Sequence, residues 1–254
     1  MFVKKFKSEE EWQNLKRLAD LGAFYEKKFI NNKNSTNSQK IFQSIYKNNE
    51  WGKMDGEDFF SGHGSHMKEI VDNYVSAITN WIKSLDKKMS ALDLGCGDFH
   101  IGSKIRHLFD SYIACDIVPE LILYNSEKFA DFSVDFIVSD LSKDELPESD
   151  VIIVRQVLQH LSNEEIYNFL SKIKNRYHYL IFTDHRSNDE NLVENMDLLP
   201  GSKIRLAFGG KGLDLTKVPF NLRPISKEII SKVSTPNFGG KHGSTINTIV
   251  YKLK

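Results

Sequence analysis

A glycine-containing turn followed by a spaced carboxylate is the strongest chemical signal in the sequence. An apolar run that includes Asp93 leads into Gly95-Cys96-Gly97-Asp98. Glycines there let the backbone turn sharply and let a ligand approach it without a Cβ in the way. Asp116 ends the next apolar run, about twenty residues on, where a carboxylate can accept hydrogen bonds from both hydroxyls of a ribose. The pattern predicts a nucleotide site.

The charge beside this turn favours one adenosine-containing ligand over another. A dinucleotide such as NAD needs a third glycine near the helix start to seat its pyrophosphate, but Phe99 and His100 stand there. S-adenosylmethionine (SAM) has no phosphate, and its ammonium and sulfonium groups are cationic. Asp93 and Asp98 attract a cation and repel an anion. The turn therefore predicts SAM, with NAD as the alternative.

Asp140 extends the predicted site along the chain. It follows the third apolar run, where an acid can hydrogen-bond the amino group of an adenine. Taken alone, the residue is equally typical of a turn or a helix N-cap. Its place in the chain order favours the ligand role, together with the neighbouring Leu141 and with Ile117 beside the ribose acid.

Methyl transfer from SAM requires little chemistry from a protein beyond holding donor and acceptor in line, about 3 Å apart. A general base is needed only when the acceptor is a neutral hydroxyl. His160, after the fourth apolar run, is the first candidate, because an imidazole exchanges protons near neutral pH. Asp184 and His185, directly after the fifth run, are further candidates. Packing at a loop and turn chemistry are the alternative interpretations of these residues.

Cationic residues beyond the fifth run suggest an anionic acceptor. Arginine forks bind phosphate or carboxylate in bidentate fashion, so Arg186, Arg205 and Arg223, with Asn221, are the predicted acceptor-binding residues. For each arginine alone, a surface ion pair explains the sequence as well. The histidines match no compact zinc spacing and no cysteine accompanies them, so we predict no metal site.

The elements that must position these residues alternate between strands and helices. Apolar runs over 90–94, 111–115, 134–138, 150–154 and 177–182 are separated by amphipathic stretches. This alternation predicts a Rossmann-like α/β fold with a mostly parallel, doubly wound sheet. After it we expect an acceptor-binding insertion over 184–224, a helix over 226–233 and a C-terminal antiparallel strand over 245–253. Residues 1–66 are predicted to form an N-terminal helical cap of two helices and a lid loop, and 67–254 the SAM-binding domain.

Composition narrows the partners. The 34 basic residues balance 34 acidic ones, so no long-range field favours nucleic acid or an anionic membrane. Only two cysteines are present, and no apolar run approaches the length of a membrane span, so a cytoplasmic location is expected. We expect a monomer or homodimer that acts on a small molecule.

Several segments carry a resemblance to a known family. The glycine turn, the acid at 116 and residues 150–162 resemble class I SAM-dependent methyltransferases. More narrowly, four segments are similar to bacterial small-molecule methyltransferases of surface-polysaccharide gene clusters, some of them linked to O-methyl phosphoramidate decoration of capsules. These segments are Trp51-Gly52 with residues 61–65, YIACDIVPELI at 112–122, VIIVRQVLQHLS at 151–162 and GLDLTKVPFNLRP at 212–224.

The resemblance covers residues 50–230 and implies a SAM-dependent O-methyltransferase that modifies capsular or surface polysaccharide through a small anionic acceptor, such as a phosphoramidate or nucleotide-linked precursor. It also implies a loop that closes over SAM. With the residues argued above, the predicted cofactor contacts are Gly62, Ser65, Asp93, Gly95, Cys96, Gly97, Asp98, Asp116, Ile117, Asp140, Leu141, Arg155 and Gln156.

One departure leaves the acid-base chemistry open. The family pattern has an acid where Gln156 stands in Arg155-Gln156-Val157, so a base at that position is excluded. A catalytically silent SAM-fold regulatory subunit is therefore the alternative to an enzyme. A nucleic-acid methyltransferase is disfavoured, because the Asp/Asn-Pro-Pro-aromatic signature used on base amines is absent after the fourth run.

Overall fold

The computed structural model describes residues 38–235 and 242–254. The second helix of the predicted cap is present as α1 (Ser38–Lys47). The first cap helix and most of the polar break after it lie outside the described residues. None of the helices within the described ranges is long and apolar enough to cross a membrane.

A seven-stranded sheet organises the described part of the chain, in the spatial order β3-β2-β1-β4-β5-β9-β8. The first five strands run parallel, and β9 runs antiparallel to both of its neighbours. The strands are β1 (Ala91–Leu94), β2 (Tyr112–Asp116), β3 (Asp135–Val138), β4 (Val151–Arg155), β5 (Tyr179–Ser187), β8 (Ser226–Thr235) and β9 (Ser244–Lys252); β6 (Val193–Glu194) and β7 (Gly210–Gly212) form a separate parallel pair.

Helices cover both faces because successive strand residues point to opposite sides. Ile152 belongs to the hydrophobic cluster that includes Phe169, and Ile153 to the cluster that includes Ile78. The first cluster holds side chains of α1, α4 (Pro119–Lys128) and α5 (Asn163–Ile173), and the second holds those of α2 (Lys68–Lys83) and α3 (Gly102–Ile105). Such two-sided burial requires continuous apolar strands, and the predicted doubly wound α/β fold is confirmed.

The helix predicted over 226–233 is wrong, since these residues form strand β8. Ile229, Ile230 and Val233 have helical spacing, but β-branched side chains are stiff at χ1 and fit a pleated surface better. The strand also provides hydrogen-bond partners for the outer edge of β9. At its end the burial alternates, with Val233 and Thr235 buried and Ser234 exposed, which is the period of a strand.

The fifth strand is longer than the sequence predicts. It continues to Ser187 because β9 pairs with it along its whole length, with Asp184 opposite Asn247 and His185 opposite Ile246. Asp184, His185 and Arg186 thus lie within β5 and not in a turn after it. The strand alternation sends Asp184 and Arg186 to one face of the sheet and His185 to the other.

Candidate ligand-binding site

A cavity of about 920 Å³ opens at the carboxyl ends of β1, β2 and β4. All thirteen predicted cofactor contacts line it, and so do His160 and His185. The other predicted site residues do not line it, namely Asp184, Arg186, Arg205, Asn221 and Arg223. The parallel topology explains the assembly, because parallel strands bring their carboxyl ends, and the loops after them, to one edge.

Both glycines of the turn have backbone conformations that favour glycine. Gly95 has φ +74° and Gly97 has φ +57°. A Cβ on Gly95 would lie 2.4 Å from a Cγ of Val157, and one on Gly97 would lie 2.4 Å from the Oγ of Ser61. The turn is therefore packed tightly between the loop after β4 and the loop before α2.

Two polar side chains hold the turn from outside it. The Nδ2 of Asn125, a fully buried residue of α4, donates to the carbonyl oxygen of Gly97 at 2.7 Å. The carboxylate of Asp116 accepts from the Gly97 N–H and the Val118 N–H, both at 3.1 Å. Asp116 thus ties the loop after β1 to the loop after β2, which fixes the relative position of the two predicted nucleotide contacts.

Two acids beside the turn are buried and have no ion-pair partner among the described residues. Asp93 is 6% exposed, and one of its oxygens accepts from the Tyr112 hydroxyl at 2.9 Å. Burial raises the pKa of Asp93 to about 7 and that of Asp116 to about 6. A cation placed beside them would restore the ionised forms, so this part of the cavity is suited to a positively charged ligand.

Asp98 is engaged by the lid loop, which we define as residues 61–66. Its carboxylate accepts from the Ser61 N–H at 2.8 Å and lies 2.7 Å from the Nε2 of His66, while its own N–H donates to the Ser61 Oγ at 2.8 Å. Burial raises the pKa of Asp98, but these hydrogen bonds outweigh it and leave the pKa below its usual value. The structure therefore gives Asp98 a loop-anchoring contact besides its place in the cavity wall.

Arg155 anchors the same lid from the end of β4. Its guanidinium donates to the Ser65 Oγ at 3.1 Å and the Gly64 carbonyl at 3.2 Å, and stacks over the Tyr74 ring. The Nε of Arg155 and the hydroxyl of Tyr74 are both buried without a hydrogen-bond partner in the part of the chain that the structure describes. Because buried donors are normally paired, these two groups mark a place where a ligand oxygen would be accommodated.

The Asp140 carboxylate adopts the turn role that the sequence left open. Its Oδ1 accepts from the N–H and the hydroxyl of Ser142, at 2.9 and 2.6 Å. Asp140 also lies on the cavity wall, with Ile117 and Leu141 beside it. A turn role and a place in the site are therefore compatible.

The His160 ring is held in one tautomer. Its Nδ1 lies 3.0 Å from the Gly201 carbonyl, which can only accept, so Nδ1 carries the proton and Nε2 the lone pair. The Nε2 lies 3.4 Å from the amide nitrogen of Gln159. Burial lowers the pKa of His160 to about 4, so the ring is neutral at neutral pH and its Nε2 keeps the lone pair.

Gln159 also links His160 to His185, because its Oε1 accepts from the His185 N–H at 3.2 Å. The Nε2 of His185 lies 2.8 Å from the hydroxyls of Thr235 and Ser244. Burial lowers the pKa of His185 to about 4. Asp184 faces the other side of the sheet, where its Oδ2 accepts from the Leu213 N–H.

Arg205 has a structural position that conflicts with the predicted acceptor role. It is 1% exposed, and its guanidinium donates to four backbone carbonyls and one side-chain oxygen. The acceptors are Met196 O, Leu158 O, Gln159 O, Leu161 O and Asn163 Oδ1. Every donor is used in fastening the insertion to the segment after β4, so none is left for an acceptor.

The remaining predicted acceptor contacts also lie away from the cavity. Arg186 pairs with Glu194 and donates to the Leu213 carbonyl. Asn221 and Arg223 are exposed. In the described ranges no group of three or more His, Cys, Asp or Glu side chains is arranged to hold a metal ion.

Sequence reasoning missed two residues that shape the site, Tyr74 and Asn125, and it named Trp51 only within a segment that resembles the family. Tyr74 has the helical spacing of a core residue, and only its unpaired hydroxyl reveals more. Asn125 left one usable signal, a polar residue on the otherwise apolar face of α4. Trp51 packs against the His160 ring at 5.2 Å and donates to the Ser202 carbonyl.

Comparison with known proteins agrees with this geometry. Residues 92–177 match the family model of a methyltransferase domain. The fold is similar to a SAM-dependent methyltransferase from Leishmania major, at 15% identity over 84% of this chain and 81% of that one, with a TM-score of 0.54. It is also similar to DhpI in complex with S-adenosyl-L-homocysteine (SAH), at 14% identity over 86% of this chain and 98% of that one, with a TM-score of 0.53. A third similar structure is the N-methyltransferase NodS from Bradyrhizobium japonicum WM9 in complex with SAH, at 11% identity over 74% of this chain and 89% of that one, with a TM-score of 0.52. A search of the curated proteins finds no significant match.

Replacing Arg205 by Met should destabilise the protein strongly. The change leaves several buried carbonyls unpaired, each at about 1–3 kcal/mol, so we expect the free energy of unfolding to fall by at least about 3 kcal/mol. Urea denaturation followed by circular dichroism measures it. The matched control is Arg223→Met, an exposed position, with an expected change within about 0.5 kcal/mol. Equal stability of the two variants would contradict the structural role of Arg205.

Proposed function

We propose that this protein, which contains a methyltransferase domain and has the class I SAM-dependent methyltransferase fold, transfers a methyl group from SAM to a hydroxyl oxygen of a small acceptor. The observation that carries the proposal is the pair of buried, unpaired acids, Asp93 and Asp116, beside a glycine turn at the sheet edge. SAM supplies an activated methyl group on a positively charged sulfur, so the cofactor is matched to the charge of its site.

In this proposal, different cavity residues contact different parts of SAM. Asp116 suits the ribose hydroxyls, and Ile117 with Leu141 suits the adenine ring. Asp93 suits the ammonium group. NAD fits this wall poorly, because its pyrophosphate would lie beside acids and beside Phe99, a buried residue with φ +57° where a dinucleotide turn has glycine.

His160 is the residue that we propose as the general base. A neutral hydroxyl must lose its proton as the methyl group arrives, and His160, whose Nε2 carries the lone pair, is one of the residues that line the cavity. The Gly201 carbonyl fixes the tautomer that such a role requires. His185 is the second imidazole on the wall, but its Nε2 already contacts two hydroxyls. Asp184 is outside the cavity and is not included.

The finer expectations from the sequence have less support. The anionic acceptor depended on Arg186, Arg205, Asn221 and Arg223, and none of them lines the cavity. The phosphoramidate chemistry and the surface-polysaccharide context rest only on the resemblance of four sequence segments to a group of bacterial methyltransferases. We therefore limit the proposal to O-methylation of a small molecule. A silent regulatory subunit would bind SAM and transfer nothing, which a transfer assay with labelled SAM distinguishes.

Calorimetry with SAM and SAH tests the cofactor assignment directly. Asp116→Ala should weaken SAM binding by about 1–3 kcal/mol, because a charged hydrogen-bond partner of the ligand is lost. Asp110→Ala is the control and should bind SAM normally. Asp110 is an exposed acid that lies two residues before β2 and pairs with Lys88. Unchanged affinity in Asp116→Ala, or binding of NAD in place of SAM, would contradict the proposal.

SAM affinity should rise with pH. Asp93 and Asp116 have pKa values of about 7 and about 6 in the ligand-free protein, and a cation prefers their ionised forms, so SAM binding should lower both pKa values and release protons. The association constant should therefore increase as pH rises through this range and level off above it. Calorimetry in buffers of different ionisation enthalpy counts the protons. An affinity that is constant from about pH 5.5 to 8 would argue against these acids as the cation's partners.

His160→Asn separates the chemical role of His160 from its structural role. The Asn amide can still donate to the Gly201 carbonyl, but the Nε2 lone pair is lost, so turnover should fall about 10²–10⁴-fold while SAM affinity stays unchanged. Since the pKa of His160 lies at about 4, the wild-type rate should show no decline caused by this residue between neutral pH and pH 5 or so. Full activity in His160→Asn would remove it from catalysis.

A further inference from the structure

The cavity extends past the glycine turn into a chamber beneath the start of α2. We define the acceptor chamber by its apolar walls, Ile70 on α2, Val233 on β8 and Ile246 on β9, and by the polar residues His185 and Thr235. The three apolar residues form a hydrophobic cluster of their own, and each is at most 7% exposed although it lines the cavity. The acceptor chamber is therefore the part of the cavity that is lined by buried apolar side chains of α2, β8 and β9.

The polar groups of the chamber are already bonded to one another. The Nε2 of His185 and the hydroxyls of Thr235 and Ser244 lie 2.8 Å apart in each pairing. Burial keeps the His185 ring neutral, with a pKa of about 4. The network thus offers no positive charge to an incoming ligand at neutral pH.

The charge of the whole cavity is also unfavourable to an anion. Apart from histidines, its described lining residues include the two cations Arg155 and Lys203, against six acids, Glu69, Asp93, Asp98, Asp116, Asp140 and Glu165. Arg155 is engaged with the lid loop, and Lys203 is exposed on the insertion. Bringing an anion out of water into this surrounding is costly without a paired cation.

The volume leaves room for a second, small ligand beside the cofactor. Pockets for drug-sized molecules are about 300–1,000 Å³, and the cavity of about 920 Å³ is at the upper end of that range. The chamber lies beyond β4 and β5, away from the β2 and β3 edge where Asp116 and Asp140 lie. A molecule in the chamber would therefore lie on the other side of the glycine turn from an adenosine.

We infer, on the premise of the proposed function, that the methyl acceptor is a neutral alcohol or phenol whose apolar, ring-sized body packs against Ile70, Val233 and Ile246. The transfer forms an O–CH₃ bond and breaks the S–CH₃ bond of SAM, which leaves as neutral SAH, and the hydroxyl proton goes to the Nε2 of His160, the proposed base, and then to solvent. Neutrality of the acceptor follows from the chamber walls, and the need for a base follows from neutrality.

Charge-matched pairs of small probes test this inference on the SAH-saturated protein. The probes are benzyl alcohol, phenol and cyclohexanol, each compared with its phosphate monoester by saturation-transfer NMR. We expect the neutral members to bind with millimolar affinity, as ligands of so few atoms do, and the esters to bind at least tenfold more weakly. Preferential binding of the esters, or no binding of the neutral probes, would overturn the inference.

Two substitutions on one strand locate the binding. Val233→Lys places a cation in the chamber wall and should abolish binding of the neutral probes, while Ile229→Lys, at a position of β8 that is 55% exposed, should leave it unchanged. If Val233→Lys does not fold, the nearly isosteric Val233→Thr should weaken the probes. Probe binding that survives both chamber variants would contradict the assignment.

SAH binding in each variant separates the two levels of the proposal. A wild-type protein that fails to bind SAH contradicts the proposed function itself. A protein that binds SAH normally but prefers the phosphate esters retains the proposed function and contradicts only the acceptor class.

Discussion

Two carboxylates held out of water at one edge of the sheet are the constraint on which the rest of the site depends. Asp93 and Asp116 receive hydrogen bonds from Tyr112 and from backbone N–H groups, but within residues 38–235 and 242–254 no cation forms an ion pair with either of them. Burial of an unpaired charge is unfavourable, and the raised pKa values express that cost. A positively charged ligand relieves it, so the same unfavourable feature gives the site its selectivity.

Three arginines of the described residues are engaged in contacts that leave the negative charge of Asp93 and Asp116 unneutralised. Arg205 donates its hydrogen bonds to backbone carbonyls of the insertion and of the segment after β4. Arg186 pairs with Glu194 on the face of the sheet opposite to His185. The charge of Arg155 acts on Asp93, but its guanidinium donates its hydrogen bonds to the lid loop. A cavity that is acidic at one end and apolar at the other results, which is consistent with a cationic donor and an uncharged acceptor.

The parts of the site that the sequence could predict are those that depend on local chain geometry. A glycine turn after a strand, and an acid at the end of the next strand, must meet at the carboxyl edge of a parallel sheet. The role of an arginine such as Arg205 depends on which carbonyls happen to lie around it, and residue type carries no record of that. For Tyr74 the sequence indicates a core residue, because its spacing is helical. A role in the site is indicated only by its buried hydroxyl, which has no hydrogen-bond partner among the described residues.

The fold was predictable where apolar runs are flanked by clear breaks, and the prediction failed at β8, where a helix was expected. Strand and helix compete there, since Ile229, Ile230 and Val233 satisfy the spacing of a helix face. The outcome is decided by β9, whose outer edge needs hydrogen-bond partners, and this partnership lies outside the local sequence. The end of β5 has the same origin, because pairing with β9 extends it to Ser187.

The contacts that hold the lid loop have a consequence for ligand exchange between the cavity and solvent. His66 and Ser61 hydrogen-bond to Asp98, and Arg155 donates hydrogen bonds to Gly64 and Ser65. If the cofactor binds beneath the loop, as proposed, we expect it to exchange with bulk solvent past this segment once both sets of contacts are broken. The opening rate of six residues would then place an upper bound on how often the site can be reloaded, however fast the bond-making step is.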